Sequence, residues 1–359
     1  MTGMSAGKLT NLMRLADRGG RFKMLAIDQR PQLRLALGTA TGRESDQVTY
    51  EEMAAAKTLI TEVLSPFATA TLVDPVYGLP RAVKAIPADV GLLAATEEAD
   101  HQRAGPGGNE RRSRLLDGWS VAKAKRAGMN AVKLLIHYNP EASAETLAHQ
   151  RQVARRVGEE CARADIPFLL ELMTYPLVEP AADTPEFARR RPQHTIASAR
   201  EFSQDEYRAD VLKLEFPADL KYAGEFSAGT FDGQERPAVY TVADVQEFCR
   251  QLEAASRRPW VILSGGVAIA EFLVSLELAA AAGASGFLCG RAIWQDAIRR
   301  YPNLDAMRAF LELEGAQNFR QANAVAERAR PWFDHPGVGG WKQIRLPEGS
   351  ESWYREYGP

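Results

Sequence analysis

Short apolar runs closed by polar or glycine residues recur along the chain, and segments with helical spacing separate most of them, the alternation of parallel βα units. Eight runs stand out: Phe22 to Asp28 (FKMLAID), Ala68 to Asp74 (ATATLVD), Val90 to Ala94 (VGLLA), Ala131 to Ile136 (AVKLLI), Ile166 to Leu172 (IPFLLEL), Val211 to Phe216 (VLKLEF), Trp260 to Ser264 (WVILS) and Ser285 to Gly290 (SGFLCG). Their near-continuous apolarity predicts strands covered on both faces. Apolar residues at three- and four-residue spacing predict helices over Glu51 to Leu64, Asp117 to Ala127, Ala144 to Ala164, Thr195 to Tyr207, Val242 to Ala255 and Ile269 to Ala282. Gly128 and Gly283 follow two of them as stop signals. The pattern predicts an α/β fold, a (β/α)8 TIM barrel of about 250 residues, with a doubly wound open sheet as its rival.

No linker splits this region, so residues 1–325 are expected to form the barrel and 326–359 a C-terminal extension with helical and irregular parts. Asn303 to Arg328 reads as an added helical region, and the tail from Pro331 to Pro359 is rich in Pro, Gly and Trp, an irregular cover or a surface for oligomer contacts. Arg103 to Arg114 (RAGPGGNERRSR) reads as a loop after the third strand, substrate-facing or merely solvated.

Active sites of barrels lie at the carboxyl ends of the strands, so charges inside or ending the apolar runs carry the information. Asp28 and Asp74 end the first two runs, Lys133 lies in the fourth, Glu171 in the fifth, Lys213 and Glu215 in the sixth, and Arg291 follows the eighth. A charge in a strand buried on both faces costs several kcal/mol unless paired. Lys133 and Lys213 sit in matching contexts on strands that share interior layers. Neighbouring, partly desolvated ammoniums depress each other's pKa, and a free amine can attack a ketone to form a Schiff base. Glu171, on the strand between, is placed to shuttle the protons of that reaction, and Asp28 to serve a substrate hydroxyl or hold the lysines. The alternative is a salt-bridge network of Lys133, Glu171 and Lys213 that only stabilises the barrel.

LSGGV after the seventh strand and CGRA after the eighth are glycine turns into helices, at the two positions where barrels commonly bind phosphate. Arg291 adds a bidentate donor. The expected ligand is a phosphate or a similar anion such as a sulfonate. His137 follows the fourth strand and could touch substrate, whereas His101, His149, His194 and His335 read as solvated or structural. No histidine pairing suggests a metal, and no glycine fingerprint suggests a dinucleotide, so no cofactor is expected.

Composition narrows the partners. The chain has 359 residues with 44 Lys+Arg against 46 Asp+Glu and a formal net charge of -2, with no basic stripe for nucleic acid or an anionic membrane. Cys161, Cys249 and Cys289 form no CxxC pair, which argues against a disulfide framework or a thiolate zinc site. No apolar run approaches the roughly 18 residues of a membrane span, and the N-terminus lacks a signal-like core, so the cytoplasm is the expected location.

The segments MLAIDQR (24–30), LVDPVYGLP (72–80), LLDGWSVAKAKRAGMNAVKLLIHY (115–138), FLLELMTY (168–175), DVLKLEFP (210–217), ILSGGV (262–267) and GFLCGRAIW (286–294) together resemble the tagatose 1,6-bisphosphate aldolase family of class I aldolases. The resemblance covers about residues 8–325. It implies a metal-independent (β/α)8 enzyme that reversibly cleaves a ketose 1,6-bisphosphate into dihydroxyacetone phosphate and glyceraldehyde 3-phosphate. By motif it places the Schiff-base lysine at Lys213 and the acid/base carboxylate at Glu171, with Lys133 and Asp28 in support. Ser264, Gly265, Gly266, Gly290 and Arg291 would hold phosphate, with Gln29 in the same binding set. GGRFKMLAIDQR and PWVILSGGV with AGASGFLCGRAIW also resemble the related 6-deoxy-6-sulfofructose 1-phosphate aldolases. A non-catalytic sugar-phosphate sensor on the same scaffold is the third reading. A homo-oligomer is expected, and the tail from about residue 325 lies outside the family pattern.

Overall fold

The computed structural model describes residues 4–177, 183–346 and 351–357. Its strands are β1 (Phe22–Ile27), β2 (Ala70–Val73), β3 (Gly91–Ala95), β4 (Gln102–Ala104), β5 (Glu110–Arg112), β6 (Ala131–His137), β7 (Phe168–Met173), β8 (Val211–Leu214), β9 (Trp260–Ile262) and β10 (Gly286–Cys289). Eight of them close a barrel in the order β1-β10-β9-β8-β7-β6-β3-β2, and every pairing in it is parallel. Each coincides with one of the eight apolar runs, so the (β/α)8 fold stands and the open sheet does not. The remaining two, β4 and β5, pair as an antiparallel hairpin.

Side chains alternate across each barrel strand, and the two faces enter different cores. Val132, Leu134, Ile136, Leu170, Leu212 and Ile262 pack outward against the helices. Met24, Ala26, Ala131, Leu169, Val211 and Val261 fill the barrel interior. That interior is closed from below by Met4, Leu12 and Leu15 of the N-terminal segment and by Trp332 and Val338 of the tail. The Trp332 amide donates to Gly20 O at 2.8 Å and the Met4 amide to Arg345 O at 2.9 Å. The described tail is therefore a floor at the amino ends of the strands, far from the end where ligands bind.

Several boundaries differ from the sequence expectation. The helix expected over Thr195 to Tyr207 runs from Pro185 to Phe202, and a short 3-10 turn holds Asp205–Tyr207. Thr184 starts it by accepting the Phe187 amide, with Pro185 at the first helical position, and the arginine-rich stretch that follows offers too few apolar positions to show the period. Only Val121–Arg126 of the expected Asp117 to Ala127 helix is helical, capped by Ser120. The expected loop at Arg103 to Arg114 contains the hairpin, which Glu110 ties to the next helix through the Ser143 amide at 2.8 Å and hydroxyl at 2.6 Å. Leu304–Phe310 and Ala316–Ala326, joined by a π turn, form the added helical region. No helix among the described residues is long and apolar enough to cross a membrane.

Asp74 is structural. Its Oδ2 lies 2.6 Å from Lys57 Nζ, both side chains fully buried, and its Oδ1 accepts the Val76 and Tyr77 amides. Lys57, from the helix Tyr50–Leu64, also donates to Ile27 O at 2.6 Å and so braces the end of β1. Lys57→Met leaves the Asp74 carboxylate uncompensated in the core and is expected to cost about 3–5 kcal/mol in urea unfolding. The Lys57→Met/Asp74→Asn double variant should recover part of that loss, whereas equal losses would mean the charges are not coupled.

Candidate active site

The ladder register sets the height of each inward-facing charge. Lys133, Leu135 and His137 share a face of β6, and the register pairs Leu135 with Glu171, Glu171 with Lys213 and His137 with Met173. Asp28 immediately follows β1, and Glu97 follows β3 with the parity of Leu93 and Ala95. All these groups meet at the carboxyl end of the barrel.

Lys133 is the centre. Its Nζ lies 2.7 Å from Asp28 Oδ2, 2.6 Å from Glu97 Oε1 and 3.0 Å from Glu171 Oε2. The other Glu171 oxygen, Oε1, lies 2.8 Å from Lys213 Nζ. Lys133 is 1% exposed and Lys213 3%. Burial alone would push the Lys133 ammonium down, but Asp28, Glu171 and Glu97 outweigh it and hold the group well above its ordinary value. Burial alone would likewise push the Asp28 carboxyl up, and Lys133, then Lys213, overcome it and hold Asp28 well below the usual range. Mutual depression of the two lysines is thus wrong for Lys133: carboxylates, rather than the second ammonium, are its nearest charges. A permanently protonated amine is no nucleophile. Lys213 has one carboxylate contact among the described residues, and that carboxylate is shared with Lys133.

Glu97 is the residue that the sequence reading missed. Besides Lys133, it accepts the Leu135 amide at 3.1 Å, while Arg30 donates to its carbonyl at 2.5 Å. The signal was available: Leu93, Ala95 and Glu97 continue one alternating face, but the apolar run was closed at Ala94. Glu215 is also placed, as a tie between strands, accepting the Thr174 amide at 2.6 Å and hydroxyl at 2.7 Å.

The glycine turns have the local geometry an anion cradle needs. Gly265 and Gly266 both have positive φ, 59° and 93°. A Cβ on Gly266 would lie 2.8 Å from Arg291 Cζ, so only glycine lets the guanidinium fold back onto the turn. Arg291 Nη2 donates to Gly265 O at 3.0 Å. Gly290 precedes the helix Arg291–Ile298, and a Cβ there would lie 2.2 Å from Ala26 O. Burial lowers the Arg291 pKa, with Asp28 and Glu171 pulling it back up, so the turn and the lysine centre share one electrostatic field. Gln29 adjoins Asp28, and its Oε1 is buried with no hydrogen-bond partner among the described residues.

A cavity of about 500 Å³ opens above these groups. Met173, Glu215 and Leu263 line it, and they stand two residues beyond Glu171, Lys213 and Val261 on adjacent strands. The same cavity is lined by Ser264, Gly265 and Gly266 and, elsewhere, by Arg111 and Tyr175. Asp183, Asp219, Asp232 and Glu271 also line it, with Arg191 and Lys221.

The model of the DeoC/LacD family aldolases matches residues 22–296. A tagatose 1,6-diphosphate aldolase of Lactococcus lactis is 34% identical over 91% of this chain and 98% of its own length. One from Streptococcus agalactiae is 35% identical over 89% of this chain and 95% of its own. Among solved structures, the fructose-bisphosphate aldolase of Plasmodium falciparum superposes with a TM-score of 0.64 at 15% identity, over 92% of this chain and 99% of that one, a likeness of fold.

Removing the central cation should change how stability depends on pH. In Lys133→Met, Asp28 loses the cation that does most to hold its carboxyl low, and burial beside two further carboxylates raises its folded-state pKa above the unfolded value of about 4. Stability from groups raised in this way is present at low pH and lost as pH rises. The variant should therefore be more stable to urea at pH 5 than at pH 7. A variant as stable at pH 7 as at pH 5 would show the carboxylates are not close-coupled.

Proposed function

Because the chain belongs to the DeoC/LacD aldolase family, we propose that it cleaves a ketose 1,6-bisphosphate such as tagatose 1,6-bisphosphate through a Schiff base on Lys213, giving dihydroxyacetone phosphate and glyceraldehyde 3-phosphate. The observation that carries this reading is the unequal treatment of two buried lysines. Three carboxylates hold Lys133 as a cation, while among the described residues Lys213 meets only Glu171.

The chemistry follows from that asymmetry. The Lys213 nitrogen lone pair, as the free amine, forms a bond to the ketose C2, and the carbonyl electron pair moves to oxygen, which takes a proton while the nitrogen gives one up to form the neutral carbinolamine. Loss of that oxygen as water needs a second proton and leaves an iminium. Glu171, 2.8 Å from Lys213 Nζ, is within reach of both transfers. Removal of the C4 hydroxyl proton then sends the C3–C4 bonding pair into the iminium, giving an enamine and releasing the aldehyde. Asp28, held ionised by Lys133, is suited to accept or orient that hydroxyl. Protonation at C3 and hydrolysis return the amine. The glycine turns and Arg291 would hold the phosphate next to C2, with the backbone N–H groups and the guanidinium as donors.

The role of Lys133 in this scheme is electrostatic. Its fixed charge lowers the cost of ionised Asp28 and Glu171 beside an incoming polyanion. Glu97 does the opposite job, keeping Lys133 in place without touching substrate.

Borohydride reduction in the presence of dihydroxyacetone phosphate should add the reduced adduct to Lys213, read by peptide mass spectrometry. A label on Lys133, or none, would remove Lys213 from the nucleophile's role. Since the iminium itself supplies the electron sink, excess EDTA should leave cleavage within about twofold of the untreated rate; a large loss restored by zinc would overturn the metal-free route.

A further inference from the structure

The cavity beside the Ser264–Gly266 turn extends into a chamber of mixed acidic and aromatic lining. Five carboxylates line the cavity, Asp183, Glu215, Asp219, Asp232 and Glu271, against three cations, Arg111, Arg191 and Lys221. Four of the five carboxylates are engaged. Arg236 Nη2 lies 3.1 Å from Asp183 Oδ2 and 2.9 Å from Asp232 Oδ2, and Lys221 Nζ stands 3.7 Å from Asp219 Oδ2. Glu215 accepts the Thr174 amide and hydroxyl. Glu271 is the exception. It lies in the first turn of the helix Ile269–Ala282 and is 5% exposed, and its carboxylate has no hydrogen-bond or ion-pair partner among the described residues. Even the Ser275 hydroxyl, one turn on, is turned to the backbone and donates to Glu271 O at 3.0 Å.

We propose that this chamber binds a small organic ammonium, with the Glu271 carboxylate as its counter-charge. The excess of carboxylates selects a cation, and their spacing selects its kind. Among the described residues, no three carboxylate, imidazole or thiol groups stand close enough together to hold a metal ion. An ammonium on a carbon skeleton instead reaches dispersed acceptors through its three N–H donors. The walls suit that skeleton: Phe187, Phe216, Phe231 and Phe272 line the same space. An aromatic face attracts an ammonium and covers the methylenes attached to it. The Arg191 guanidinium already lies 5.6 Å from the centre of the Phe187 ring, so that cation is seated on an aromatic face and leaves Glu271 unpaired. The inference uses none of the lysine chemistry and stands apart from the substrate proposed above.

The charge state of Glu271 ties this binding to pH. Burial, then Asp219, raises its pKa and Asp232 adds to the effect, while Lys221 and Arg191 pull it back, leaving it at about 7. These neighbours come from three places: Asp219 and Lys221 from the segment after β8, Asp232 from the stretch before the helix Val242–Ala255, and Arg191 from the helix Pro185–Phe202. A buried acid without a partner avoids the cost of its charge by keeping its proton. An ammonium placed beside it favours the ionised form and expels that proton. Binding therefore strengthens as pH rises through about 7 and weakens as Glu271 takes up its proton below it.

The test uses the full chain without substrate. Calorimetry measures the binding of n-hexylamine and of 1-hexanol, its uncharged analogue of equal length, at pH 6 and pH 8. The alkylammonium keeps its charge over that range, as a lysine does. Its affinity should rise about tenfold from pH 6 to pH 8, the change in the ionised fraction of an acid whose pKa is about 7. Hexanol should bind at least tenfold more weakly than the amine at pH 8 and show no dependence on pH. Glu271→Gln keeps the shape of a side chain that has no partner to lose; it should abolish the pH dependence and bring the amine to within about threefold of the alcohol. Glu271→Asp, which keeps a carboxylate, should retain the rise with pH and serves as the second variant if the glutamine one does not fold. The absence of amine binding, equal affinities for amine and alcohol, a pH-independent amine affinity in the parent chain, or an unchanged affinity in Glu271→Gln would each overturn the proposal. Loss of aldolase activity is a separate readout, since the chamber is tested with no ketose present.

Discussion

A lysine enclosed by three carboxylates is the constraint on which the rest of the site depends. Isolated, the Lys133 ammonium would be driven out of the barrel or stripped of its proton by burial; without that cation, three carboxylates would face one another in a space closed to water. Together they compensate, provided every partner is held at bonding distance. Each comes from a different place, the end of β1, the segment after β3, β6 and β7. The closed barrel is what brings three of these segments within about 3 Å of the nitrogen carried by the fourth. The rigid inner core beneath, with its floor of Trp332 and the N-terminal helix, keeps the strand ends from relaxing apart. Here the fold works as a clamp that makes several like charges tolerable in one small volume.

The clamp also separates the two lysines chemically. A single nitrogen that takes up three negative partners leaves only a shared edge of Glu171 for its neighbour. That sharing couples the two: whenever Glu171 gains a proton, Lys213 loses its nearest counter-charge and Lys133 loses one of three. Lys133 thus keeps two carboxylates that Lys213 does not touch.

Much of this was legible in the sequence, and what was not has physical reasons. The eight apolar runs located every barrel strand, because a strand buried on both faces leaves a continuous trace. Asp28, Lys133, Glu171 and Lys213 were visible as charges that such a strand could not carry unpaired. Glu97 was hidden because it stands three residues beyond a run that was closed in alanines, where apolarity no longer marks the strand's end. Asp74 looked equivalent to Asp28, yet its partner comes from a helix, Lys57, and nothing in local sequence tells a helix partner from a strand partner. The hairpin of β4 and β5 was read as a loop because its strands are three residues each, charged, and paired with no strand of the barrel.

That hairpin is held apart from the lysine centre. The lysine centre is locked by four converging segments, so a substitution there disturbs several charges at once. Arg111, in contrast, sits on a short hairpin fixed by Glu110 and Gln150 through contacts that do not pass through the centre. A change on the hairpin therefore leaves the ion pairs of Lys133 in place.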